Sequence, residues 1–149
     1  MNNELIKVVG NLDIVLYDAN YRVKQSLSVP NIVTTGGKGI IASRLIGTTP
    51  AVMSHMAIGT DNGTVLPLAA GNTALGTALG ARVALATPTV STNVVTYSAT
   101  FTTAYSGAIT EAGIFNALTG VTMLCRTVFS VINKETTDVL TINWNVTIN

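Results

Sequence analysis

Apolar and polar positions alternate with a period of two along much of this chain. The last stretch is the clearest: Leu140, Ile142, Trp144, Val146 and Ile148 fall on one face, and Thr141, Asn143, Asn145 and Thr147 on the other. Val95, Tyr97, Ala99 and Phe101 alternate in the same way with Val94, Thr96, Ser98 and Thr100. Near the start, Leu12, Ile14 and Leu16 lead to a turn at Asp18-Ala19-Asn20-Tyr21, and a return strand over 22–29 carries Val23, Leu27 and Val29. Period-two alternation flanking an Asp/Asn turn predicts a β-hairpin. Pro30 is expected to end its second strand, because proline cannot donate to the ladder. Further strands are predicted over 53–58, over 81–87 up to Pro88, over 109–115, and over 121–129 after a turn at 116–120.

Two stretches break the alternation. Ile40, Ile41 and Leu45 fall at helical spacing, which predicts one short helix over 37–46. Residues 60–72, with Asp61-Asn62-Gly63 and Pro67, form a long loop of the kind that often makes contacts, and a helical turn is expected over 73–79. Many short strands with Gly/Asn turns and little helix predict an all-β fold, an antiparallel β-sandwich or jelly-roll-like domain. Residues 1–11 read as an N-terminal arm or edge strand, and 12–149 as a single domain.

Composition narrows the function. The chain has 149 residues, 48% hydrophobic and only 10% charged, with one His and one Cys. Enzymes need clustered titratable groups, so a non-catalytic role without cofactor or metal is expected. The net charge is +1, and the cations are scattered, whereas a nucleic-acid binder shows a basic face. No apolar run reaches the roughly 18 residues that span a bilayer; the candidate at 40–46 is short and carries Arg44. A mean hydropathy of +0.48 then points to subunit contacts rather than a membrane. No secretory signal is expected at the start of the chain.

The candidate chemistry is sparse. Gly36-Gly37-Lys38-Gly39 lacks the Ser/Thr after Gly-Lys and the upstream glycine of a phosphate loop. His55 alone makes no metal site, and Ser54 beside it is expected on the opposite strand face. Asp61-Asn62-Gly63-Thr64 lacks the alternate ligands of a calcium loop and reads as a turn. Tyr17, Tyr21, Tyr97, Tyr105 and Trp144 are dispersed; Tyr97 and Trp144 are expected in the core, Tyr21 and Tyr105 near turns. Cys125 is expected buried and reduced. Glu111, in an apolar run, needs a partner because an unpaired buried charge is costly. Arg82 and Arg126, both on strand-like segments, are the candidates for that ion pair.

Residues 54–60 (Ser-His-Met-Ala-Ile-Gly-Thr), 73–77, 81–85 and 93–101, the run Gly-Ala-Ile-Thr-Glu-Ala-Gly-Ile-Phe-Asn at 107–116, and the segments 123–129 and 138–144 together resemble small structural proteins of tailed bacteriophages. The likeness extends to 29–33 and 39–45, and so to nearly the whole chain. Such proteins are often labelled tail-fibre-like, and several are capsid decoration (cement) proteins with a jelly-roll-like fold, bound as trimers on the head. Relatives commonly carry an acid where this chain has Ala78, which turns attention to Glu111 as the carboxylate of an ion pair. The resemblance implies a homotrimer on the virion capsid surface, made in the host bacterial cytoplasm and contacting the phage major capsid protein, with no nucleic acid or membrane partner. A tail fibre or baseplate component used in host attachment is the alternative. The irregular segments supply the expected contact residues: Asn2, Asn3, Leu5, Ile6 and Lys7 in the arm, and Asp61, Asn62, Val65, Leu66 and Pro67 in the loop.

Overall fold

The computed structural model describes residues 4–48, 50–120 and 122–149. Among them lie nine strands and one helix: β1 (Val8–Tyr17), β2 (Val23–Val33), α1 (Thr35–Leu45), β3 (His55–Gly59), β4 (Val83–Ala84), β5 (Thr89–Ser91), β6 (Val94–Phe101), β7 (Gly107–Phe115), β8 (Met123–Lys134) and β9 (Val139–Ile148). The strands pair antiparallel in the order β4-β3-β7-β8-β2-β1-β9-β6-β5, and the sheet curls on itself. The fold is all-β, as the alternation predicts. Leu12, Ile14, Phe101, Leu140, Ile142 and Trp144 from one half meet Met56, Ile58, Ile109, Ile114, Leu124 and Ile132 from the other in one core. Fully burying each such side chain stabilises the fold by about 1.5–3 kcal/mol.

Two stretches of chain form the corners. β2 pairs with β1 as far as Asn31↔Gly10 and then with β8 from Ile32↔Arg126. Pro30 therefore does not end β2. It sits where the strand changes ladders, the place where a missing donor costs least, and its carbonyl accepts from Thr127 Oγ1 at 2.8 Å. Residues 83–91 do the same at the opposite corner. β4 pairs with β3, Leu85 N donates to Ser54 O and Ala86 N to Ser98 O, both at 2.9 Å, and β5 pairs with β6. The strand expected over 81–87 is thus only Val83–Ala84, and a further short strand, β5, follows Pro88; together they tie one rim of the curled sheet to the other.

Residues 8–11, expected in the arm or edge strand, belong to β1, with β9 on one side and, from Gly10, β2 on the other. Asn2 and Asn3 lie outside the described residues. α1 begins two residues before the expected 37. Thr34 caps it, its hydroxyl accepting from Gly37 N at 2.9 Å and donating to Met123 O. Gly37 packs directly on the Leu124 backbone, where a Cβ would clash. Gly37 therefore serves close helix-to-strand approach, while Gly39 faces open space. Residues 73–79 form no helical turn; they make bends and a single bridge, Ala78 to Gly59.

Candidate functional site

The outer face of β3, β7 and β8 is covered by residues 60–82, and the buried charges of Asp61, Glu111 and Arg126 gather beneath that cover. A bulge places them there. β7 and β8 change register between Ile109 and Glu111. Ile109 faces the core, but so do Ala112 and Ile114, so the bulge sends Glu111 outward, where unbroken alternation would put it beside Ile109. Arg126, opposite Gly113 on β8, lies on the same outer face.

Glu111 and Arg126 form a fully buried ion pair, Arg126 Nη2 donating to Glu111 Oε2 at 2.8 Å and Nε to the same oxygen at 3.1 Å. Of the two arginine candidates, Arg126 is the partner. Glu111 also accepts from the cover: Thr77 N donates to Oε1 at 2.8 Å and Gly76 N to Oε2 at 3.0 Å. Arg126 reaches the other end of the cover through Asn72 Oδ1 at 2.8 Å and Leu66 O at 3.0 Å. Its second ion pair, to Asp61 Oδ2, spans 3.4 Å.

Asp61 is a folding centre for the loop. Its Oδ1 accepts from the N–H groups of Gly63, Thr64 and Val65, each at 3.0 Å, and Oδ2 from Leu66 N at 2.9 Å. Burial raises the carboxyl pKa, but these four donors outweigh it and hold the group below the usual aspartate value. Asp61 is 3% exposed, so of the residues expected to meet a partner this one turns inward. Gly76 packs against its carboxylate so closely that a Cβ would collide with it.

The apolar half of the same face holds Ala57, Phe115 and Met123, with Leu75 of the cover packed on them. Arg82 stands over Phe115, 3.5 Å from guanidinium carbon to ring centroid, and Nη1 donates to Ala117 O and Gly120 O at 2.9 Å each. It makes no pair with Glu111.

The remaining expected residues fall as follows. Leu5, Ile6 and Val65 are exposed, at 75%, 77% and 71%; Lys7, Asn62 and Pro67 are exposed and Leu66 is half-buried. Lys7 pairs through its backbone with Asn149, at 2.7 Å in both directions. Ser54 does not face away from His55: it precedes β3, and its Oγ lies 2.8 Å from His55 Nδ1. Tyr105 is less free than its place near a turn suggests, standing edge-on to Phe101 while its hydroxyl donates to Ala81 O. Among the described residues no three of His, Cys, Asp and Glu gather as metal ligands, and no helix is long and apolar enough to cross a membrane.

No protein-family model, curated protein or solved structure matches the chain. Chemically, the buried cluster presents two carboxylates already engaged by a guanidinium and by backbone N–H groups. That arrangement holds a loop in one shape. The surface tells a complementary story: α1 is flanked by an apolar groove with Ile6, Val9 and Leu45 and by another with Val52, Val95 and Ile148, and Ile41 lines both.

Proposed function

We propose that this protein is a structural component of a tailed-bacteriophage virion, a decoration (cement) protein. It binds the outer head surface between capsomers, contacts the major capsid protein and associates with copies of itself as a trimer. The observation that carries this reading is the apolar surface around α1. Leu5, Ile6, Val9, Leu45, Ile46 and Val52 are all exposed, and they cluster around one helix and the start of β1. Exposed patches of that kind mark interaction surfaces. The sequence resemblance supplies the particle and the partner, and the network under the 60–82 cover offers a second contact element in one preset shape.

The physical role follows from mass action. A protein that binds the assembled shell and not its free parts stabilises the assembled state, and many repeated contacts add avidity. A trimer matches positions where three capsomers meet.

A side-chain-resolution reconstruction of the intact virion tests the reading. Density for this chain on the head at three-fold or pseudo-three-fold positions, with the α1 surface covered, is the expected result. Density at the tail tip or a fibre overturns it in favour of host attachment. Ile6→Asp with Leu45→Asp is expected to keep the fold and abolish binding to purified shells.

A further inference from the structure

An open cleft of about 450 Å3 lies between the 60–82 cover and the 116–120 turn. Its walls are small or apolar, among them Ala57, Ala78, Leu75 and Leu118, and Arg82 is its charged lining residue. The guanidinium is fixed in place by the Phe115 ring beneath it and by the two carbonyls that Nη1 engages. Nη1 carries two protons, and those two bonds use both. Nε and Nη2 have no acceptor among the described residues, and Arg82 takes part in no ion pair there. The unused Nε/Nη2 edge is the fork that receives a carboxylate through two parallel bonds.

We propose that this cleft binds a carboxylate carried on a short apolar stem, gripped two-pronged by Arg82 with the stem against Leu75 and Leu118. One cation in the lining matches a monoanion; a phosphate dianion would keep an unanswered charge. The fork is already immobilised, so binding loses little side-chain freedom. Apolar walls lower the local dielectric and strengthen the pair. The carboxylate can come from a glutamate side chain of a protein or from a free short-chain acid.

The test is an NMR titration of the full chain with sodium butyrate, with butyramide as the neutral isostere and acetyl-Leu-Glu-Leu-amide as the protein-like probe. Expected are saturable shifts at Arg82 Nε and at the amides of Leu118, Thr119 and Gly120, with a Kd of roughly millimolar order. Butyramide should bind at least about tenfold more weakly, since it forfeits the charge-assisted bonds. Arg82→Lys keeps the charge and loses the fork, and should weaken butyrate about tenfold. Ala78→Phe, at an exposed wall position, fills the cleft without touching the guanidinium bonds and should abolish the shifts; it carries the test if Arg82→Lys loses the native spectrum. Absence of saturation with butyrate, an equal response to butyramide, or an unchanged titration in Ala78→Phe overturns the proposal. A peptide response at the same amides assigns the site to a protein side chain; a response to butyrate alone assigns it to a free acid.

Discussion

The indole N–H of Trp144 donates to Asn31 Oδ1 across 2.7 Å, fastening β9 to the point where β2 leaves one ladder for the other. Gly10 leaves room for that amide, since a Cβ there would collide with the Asn31 side chain. Trp144 is fully buried, so its N–H has no water to turn to. Asn31→Leu is expected to lower unfolding free energy by about 1–3 kcal/mol, the cost of an orphaned buried donor, read from the urea midpoint at unchanged slope. Asn31→Asp retains an acceptor and should cost less. Gly10→Ala should destabilise without touching the tryptophan itself.

Arg126 answers two buried carboxylates at once. Arg126→Met leaves Glu111 and Asp61 charged and buried, and should cost about 3–5 kcal/mol in denaturant unfolding. Adding Glu111→Gln removes one uncompensated charge, so the double variant should be more stable than the sum of the single losses implies. In Arg126→Met the amide protons of Val65 and Leu66 should exchange faster with solvent, because the loop loses the side chain that holds both its ends.

The Lys24–Asp138 pair, 2.7 Å long, sets expectations at both ends of the pH scale. Burial raises the Asp138 pKa, but the Lys24 hydrogen bond and the Glu135 N–H outweigh it and hold the carboxyl below its ordinary value. Its unfolded value is about 3.9. The stability it contributes is therefore present above that pH and lost as pH falls through the lower folded value. The hydrogen bond to Asp138 raises the Lys24 pKa against the opposing effect of burial. That contribution is complete below about pH 10.4, the unfolded value, and is lost as pH rises through the folded one. Urea midpoints measured across both ranges should show the two limbs; Lys24→Met should remove the alkaline one and shrink the acid one, which the Glu135 N–H still supports.

Cys125 is fully buried, and desolvation pushes its thiol up to about 12, only partly countered by a hydrogen bond with Asn31. The thiolate is the reactive form. Native protein at mildly alkaline pH should resist alkylation by iodoacetamide and react only after unfolding, which mass spectrometry of the intact chain will show. Rapid labelling of the native protein would contradict this.

β9 and β1 are legible because their alternate residues differ in burial, and alternation reports that contrast directly; in β6 the contrast is sharp only from Ala99 to Phe101, and Val23 of β2 is exposed. β7 was legible as a strand but not in its facing, because the bulge after Ile109 shifts the side-chain parity. The need for a partner at Glu111 followed from charge in an apolar run; which arginine answers it depended on the register of β7 against β8, which no local pattern encodes. The inward turn of Asp61 was hidden for a related reason. An Asp-Asn-Gly triplet signals a turn, but the inward facing of the Asp61 carboxylate shows only against Arg126 and Gly76, which lie further along the chain. β5 escaped because its three residues are all exposed and carry no apolar contrast. Proline signals the end of a strand, whereas Pro30 stands inside β2 where it changes ladders, and Pro88 stands in the link between β4 and β5, just after the chain crosses from β3 to β6.

The run from Val83 to Ser91 belongs to both rims of the sheet, bonded to β3 at its start and to β6 at its end. Neither rim therefore ends freely: the last strand on the β3 side and the last on the β6 side are consecutive pieces of one covalent chain. In its connectivity the sheet is less a ribbon with two loose edges than a hoop, with the short run around Leu85 and Ala86 as its clasp.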